Sequence, residues 1–364
     1  MPGVPTVDGL AVRTFRFPTA TPEADGTLAW DATTAVTVEV SAGGVTGLGW
    51  TYSSPAAASV VREHLRDVVV GSPVDPARTG SAMRRACRNL GTRGLVMQAL
   101  SAVDVALWDL QARLVGTSLC TVLGRVHDSV PVYGSGGFTT YDHDQLAEQV
   151  SGWRAAGCSG MKIKIGESWG TRVDRDLDRV RQLRELAGPG VQLMVDANGG
   201  YSRGQAVRVG HALDELGVVW FEEPVTSDDP VGLGVVAAAL RTDVAAGEYA
   251  SDLDDVAGLC RVVDCVQLDV TRCGGYTGWL RGAAVAAAHH LDVSGHCAPS
   301  LHAHVAGAVE HLRHVEWFAD HARLEPLLVD GLAPVQDGAL HPDPDRPGHG
   351  MTLRDDVGRF EVRA

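Results

Sequence analysis

The chain has 364 residues, 45% of them hydrophobic, and a formal net charge of −14. That length supports one large domain plus a smaller one with a sizeable core, and the negative charge argues against nucleic acid or an anionic membrane as partner. The same charge repels an acidic small molecule in bulk, so a ligand of that kind has to be held by a local positive centre.

In chain order, Met1–Leu10 shows no basic region followed by an apolar one, and no run of 18 uncharged apolar residues occurs anywhere. The expectation is a cytoplasmic protein without a membrane partner. Thr19–Thr27, rich in Thr, Pro, Asp and Gly, reads as a mobile surface loop. Thr33–Val40 alternates as a strand, and Gly43-Gly44 turns it into Val45–Trp50, a hairpin. Three helical stretches follow, Pro55–Val70, Asp75–Leu90 and Arg93–Leu114.

From Val130 the pattern becomes short apolar runs separated by amphipathic helices. The runs are Val130–Tyr133, Met161–Ile165, Val191–Val195, Val218–Phe221, Val244–Ala246, Cys265–Leu268, Leu291–Val293 and Arg313–Trp317. Eight starts spaced 21 to 31 residues apart match one strand plus one helix each, the requirement of a parallel barrel. An open doubly wound sheet fits the alternation too, but eight units favour closure. After Trp317 no further strand-helix unit is expected. The division is then 1–126 as an α+β capping domain, 127–325 as the barrel, and 326–364 as a tail packing back on the cap. Seven scattered cysteines without a CxxC indicate neither a disulfide framework nor a zinc site.

Two of the 31 basic residues are lysines, Lys162 and Lys164, and they lie two apart; the other 29 are arginines. Ile163 and Ile165 are likewise the only isoleucines. A guanidinium stays protonated at ordinary pH, whereas a buried amine, or one beside a second cation, becomes a base. The alternation puts both lysines on one strand face. A solvated edge strand would show the same pattern, but the other strand ends argue against it. Asp196 closes the third run, Glu222-Glu223 the fourth, Glu248 the fifth, Asp269 the sixth, His296 the seventh and Glu316 the eighth. In a barrel of this type the site sits at those carboxyl ends. Asp196, Glu222 and Glu248 come from adjacent strands, offer only hard oxygens, and have no basic partner among the motifs. That set predicts Mg²⁺ or Mn²⁺ rather than zinc.

Lys162-Ile163-Lys164, Val195-Asp196-Ala197-Asn198, Trp220-Phe221-Glu222-Glu223-Pro224, Gly247-Glu248, Asp269 followed by Gly274-Gly275, Ser294-Gly295-His296 and Glu316 together resemble the enolase superfamily, in its mandelate racemase branch. Ala102–Asp109 resembles the long helix of that family's capping domain. The resemblance covers nearly the whole chain. It implies a (β/α)7β TIM-like barrel under an N-terminal α+β cap, and an essential Mg²⁺. By the same resemblance Asp196, Glu222 and Glu248 are metal ligands, Lys164 is one base, and His296 paired with Asp269 is the other. Glu316 would be the acid that hydrogen-bonds the substrate carboxylate. Lys162 is expected to act electrostatically, and Asn198 and Glu223 to orient the site. The muconate cycloisomerase branch needs a further lysine that the chain lacks. The glucarate dehydratase branch usually has asparagine where Glu248 stands.

Proton removal next to a carboxylate requires a neutral Lys164, its pKa lowered from about 10.4 toward ~7–8. Lys162 and the metal would push it down. The expected reaction is dehydration of an aldonate or aldarate to a 2-keto-3-deoxy acid. Racemisation of a 2-hydroxy acid and sugar-acid cycloisomerisation are the enzymatic alternatives, and a sugar-acid binding protein with vestigial catalysis is the non-enzymatic one. A homo-oligomer is expected. Specificity is expected in Thr19–Thr27, Trp50–Ser54 and Gly134–Thr140.

Overall fold

The computed structural model describes residues 5–363. An antiparallel meander comes first, β1 (Gly9–Ala24), β2 (Ala29–Ala42) and β3 (Val45–Tyr52). Gly43 and Gly44 both take positive φ, 59° and 79°, the backbone that a tight hairpin between right-twisted strands requires. Helix α1 (Leu95–Leu114) lies directly on β3. A Cβ at Gly49 would sit 2.2 Å from the carbonyl oxygen of Ala102, and one at Gly47 2.3 Å from that of Ala106. Backbone contact at that range needs glycine.

The expected loop at Thr19–Thr27 is largely strand. β1 continues through a register shift between Pro18 and Glu23 and then pairs Glu23 with Trp30 and Ala24 with Ala29. Asp25 Oδ1 accepts from the amides of Thr27 and Leu28 and closes the turn. Polar composition there marked an irregular strand end rather than a loop, because a bulge keeps pairing while breaking alternation.

All eight apolar runs are strands: β4 (Val130–Gly136), β5 (Gly160–Lys164), β6 (Gln192–Asp196), β7 (Val218–Glu222), β8 (Asp243–Ala246), β9 (Cys265–Leu268), β10 (Asp292–Gly295) and β11 (Leu312–Phe318). Neighbours pair in parallel in chain order, and β11 pairs with β4, closing the barrel. Register brings the charged ends level: Lys164 pairs with Asp196, and Asp196 with Glu222. Two residues nearer the amino ends, Met194 and Trp220 join Tyr133, Ala245 and Cys265 in a buried apolar cluster. The charges therefore sit on a packed floor, not in a pore.

One more helix follows the eighth strand, α2 (Ala319–Leu328), in the region where the sequence pattern predicts no further strand-helix unit. Beyond it, Ala339 and Leu340 pair antiparallel with Pro131 and Val130 of the barrel. The chain then returns to β1, where Val362 donates its amide to Thr14. All seven cysteines are buried and free of disulfides. Among the described residues no helix is long and apolar enough to cross a membrane.

Candidate active site

Lys162 and Lys164 project from one face of β5 into the barrel, where both are buried. Lys162 Nζ lies 2.5 Å from Glu222 Oε2 and 2.8 Å from Glu316 Oε1. Lys164 Nζ contacts Asp196 Oδ2. Burial disfavours both ammonium ions, yet the carboxylates outweigh it and raise both pKa values. The expected depression of Lys164 is therefore not what this arrangement gives: Lys162 does lower it, but Asp196 acts as a counter-ion and holds the proton on.

The acids also depart from expectation, because each has a cation beside it. Besides the two lysine contacts, Arg272 Nη1 donates to Glu248 Oε1 at 3.0 Å. Residues outside the motifs supplied that partner, so spacing alone did not reveal it. Even so, the cluster keeps unused oxygens. Glu222 Oε1 and Asn198 Oδ1 are buried without a hydrogen bond, and Glu248 Oε2 has only His296 Nε2 nearby, at 3.2 Å. Orphaned buried carboxylate oxygens are costly unless something cationic meets them. Glu223, at φ 39°, is fully enclosed. Burial, then the charges of Glu248 and Asp196, push its pKa well up. The donors are hard oxygens converging from adjacent strands, and they fit a magnesium ion. Glu222, Glu248 and His296 place ligand atoms within 4.8 Å of one another. Asp196 is turned toward Lys164 and toward Asn198, which donates to it from both its amide and Nδ2.

The ends of the sixth and seventh strands carry the dyad. His296 Nδ1 meets Asp269 Oδ2 at 2.9 Å. The other Asp269 oxygen accepts from Thr271 N and Oγ1, both at 2.7 Å. Burial raises the Asp269 pKa, but the hydrogen bond from His296 and the charge of Arg272 bring it down to about 2. An ionised Asp269 fixes the tautomer of the ring and leaves Nε2 for chemistry. Nε2 stands 3.2 Å from Glu248 Oε2 and 3.3 Å from Cys297 Sγ. Cys297 and Ala298 follow at φ 51° and 40°, a strained pair of the kind that gathers at functional sites. Glu316 has both oxygens engaged: Oε1 by Ser135 Oγ at 2.6 Å and by Lys162, Oε2 by the Cys297 amide at 2.8 Å. Burial opposes its charge, but Lys162 and His296 hold its pKa well below the usual carboxylate range. In this arrangement Glu316 is an acceptor, not the donor expected toward a substrate carboxylate.

Gly274-Gly275 opens the helix α3 (Gly275–Ala288). A Cβ on Gly275 would sit 2.4 Å from Asp104 Oδ2, which accepts from the Thr277 amide at 3.0 Å. The pair lets an α1 carboxylate approach the helix start, and a phosphate would meet that charge.

Two family models cover most of the chain. Residues 11–124 match the mandelate racemase / muconate lactonizing enzyme N-terminal domain, and residues 145–357 match the enolase C-terminal domain-like family. The chain belongs to the enolase superfamily. It is an enzyme of the mandelate racemase branch. It is 32% identical over 327 residues to an L-talarate/galactarate dehydratase of Salmonella typhimurium, covering 87% of this chain and 79% of that protein. The fold matches a mandelate racemase/muconate lactonizing enzyme-like protein from Rubrobacter xylanophilus with a TM-score of 0.95 and 45% identity, over 98% of this chain and 100% of that one. It also matches a racemase from Streptomyces coelicolor that was solved with bound magnesium, with a TM-score of 0.92 and 31% identity over 98% and 100%.

In this superfamily member Lys164, Glu248 and His296 open onto a cavity of about 390 Å³. Its other wall comes from Trp30, Thr33, Tyr52 and Ser53 of the N-terminal meander and from Asp320 and His321 of α2. Arg272, Cys297, Tyr249 and His321 reach it without having been singled out from the sequence. Arg272 is one of 29 arginines, and Tyr52 stacks on His321 at 3.6 Å across 269 positions of chain. No local signal could have paired them. Phe138, from the expected Gly134–Thr140 segment, packs beneath the wall against Trp30 and Phe318.

Proposed function

We propose that this enzyme dehydrates an acid sugar, an aldonate or aldarate, to a 2-keto-3-deoxy acid, using magnesium held by Asp196, Glu222 and Glu248. The observation that carries the reading is that Lys164 and His296, from the second and seventh strands of one closed barrel, line the same cavity beside those acids. Bound there, the metal supplies the positive charge that stabilises the anion left by α-proton removal. Lys164 takes the α-proton. With Asp196 and Glu222 engaged as ligands, burial and the neighbouring Lys162 would favour the neutral form of that amine. His296, oriented by Asp269, gives a proton from Nε2 to the departing β-hydroxyl, so that water leaves and the enol tautomerises to the keto acid. Lys162 fixes Glu222 and Glu316, while Asn198 and Glu223 orient the ligand set.

The relative that acts on talarate and galactarate supports a polyol substrate. Purified protein with Mg²⁺ and a panel of C5 and C6 sugar acids should produce 2-keto acid. No keto acid from the panel, together with inversion of a simple 2-hydroxy acid, would put racemisation in its place. The same proposal locates the enzyme in the cytoplasm, which its seven unpaired cysteines support. It also expects a homo-oligomer, to be measured by light scattering.

A further inference from the structure

Two cations and two histidines line the cavity, and both cations and His296 belong to its barrel side. Lys164 and His296 are committed to the chemistry. Arg272 is spent on the protein's own acids, at 3.0 Å from Glu248 and 3.2 Å from Asp269, with its guanidinium over the Tyr249 ring. The opposite wall carries no cation among the described residues. Asp25 and Asp320 line it instead. Arg323 contacts Asp320 Oδ1, but it is turned to the Pro18 carbonyl oxygen at 2.9 Å and does not reach the cavity. What the cavity meets there is the carboxylate, with Oδ1 held by Arg323 and Oδ2 accepting from Thr33 Oγ1.

We infer that the substrate carries a single carboxylate: the cavity accepts a polyol monoacid, an aldonate, and rejects an aldarate, whose second carboxylate would lie against the Asp320 wall. This rests on the dehydratase reading above and narrows it. Negative charge buried behind this wall is already disfavoured. Burial and the neighbouring Asp320 push Glu23 up to about 7, although Trp30 Nε1 donates to it at 3.0 Å. A carboxylate brought in by substrate would meet the same two penalties. Hydroxyls, by contrast, find partners. His321 Nδ1 accepts the Ala298 amide at 3.0 Å, so the neutral ring carries its proton on Nε2, and no residue described here bonds that nitrogen. Burial holds His321 down to about 4, which keeps it an uncharged donor. Thr33, Thr34 and Ser53 line the same wall, and the Thr33 and Ser53 oxygens, whose protons go to Asp320 and Gln98, remain as acceptors.

The test uses wild-type enzyme with Mg²⁺ and matched aldonate and aldarate pairs of equal length and configuration, followed by keto-acid formation. The aldonate should show a kcat/KM at least 100-fold higher. Equal or better turnover of aldarates overturns the inference and leaves the dehydratase reading standing. Keto acid from neither class overturns that reading, and this inference with it. As a second arm, Asp320→Asn removes the charge facing the cavity and should raise the aldarate-to-aldonate ratio at least tenfold. An unchanged ratio in a variant that still turns over the aldonate would take the discrimination away from this wall.

Discussion

On the barrel side of the cavity the three proposed metal ligands and Asp269 each have a cation within reach: Glu222 meets Lys162 at 2.5 Å, Glu248 meets Arg272 at 3.0 Å, Asp269 meets His296 at 2.9 Å, and Asp196 meets Lys164. On the other side Glu23 and Asp320 share the single cation Arg323, and aromatic rings fill much of the rest. The first region is a dense ionic lattice on strand ends, where the backbone fixes each charge to its register. The second is assembled from a hairpin, a strand end and a helix start that are remote in sequence. Reaction chemistry demands the first kind of construction, because charge must be placed before the substrate arrives. Selection among substrates needs only shape and the sign of the charge, and separate elements can supply both.

The largest expected effect tests the ionic side as a whole. Chelation should abolish turnover and Mg²⁺ should restore it, and Glu222→Gln should bind the metal poorly in calorimetry. Full activity in excess chelator would remove the metal from the mechanism. Next comes the base. Lys164→Arg should lose on the order of 10³-fold in kcat, nearly as much as Lys164→Ala, since a guanidinium cannot deprotonate. Retention of a tenth of wild-type turnover, a cost of only ~1.4 kcal/mol, would show that Lys164 is not the base. His296→Asn should stop keto-acid formation while solvent deuterium still enters the α-position, which separates the two proton transfers.

Lys162 sharpens the comparison through stability rather than rate. Its role looked electrostatic from the sequence, and on that basis Lys162→Arg should be mild. The side chain is in fact fully buried between two carboxylates, and a longer guanidinium has no room there. Lys162→Met leaves Glu222 and Glu316 facing each other, so metal-free unfolding in urea should show a loss of roughly 3–5 kcal/mol. A loss below ~1 kcal/mol would mean that the two acids take up a shared proton without strain.

How far the sequence could be read follows the same division. Two lone lysines with an alternating isoleucine between them marked β5, because composition and period pointed to one strand face. The acids were legible because each ended an apolar run. Residues whose importance comes from a neighbour left no such mark. Arg272 gains its place from Glu248 and Asp269. Cys297 gains its place from a left-handed backbone and a bond to Glu316. His321 depends on the Ala298 amide and the Tyr52 ring. The polar stretch before Thr27 misled in the other direction, since a bulged strand and a loop share a composition.

The smallest effect asks whether the second wall is as neutral as its geometry implies. His321 is depressed in the folded state to about 4, first by burial, from an ordinary value of 6.5. A base whose folded pKa is lowered contributes stability that is present above the unfolded value and is lost as pH falls through the folded one. Wild-type protein should therefore lose His321's share between about pH 6.5 and pH 4. His321→Gln has no such proton to gain. At pH 7.5 it should be the less stable protein, because the stack on Tyr52 is weakened. At pH 4.5 that deficit should shrink by roughly 2 kcal/mol, and taking wild type against variant at each pH cancels the contributions of the other buried histidines. Urea midpoints at the two pH values measure it directly. A deficit that does not change would mean that His321 is already charged in the folded protein near pH 4.5. The wall would then hold a cation under those conditions, and its rejection of a second carboxylate should fade over the same pH range.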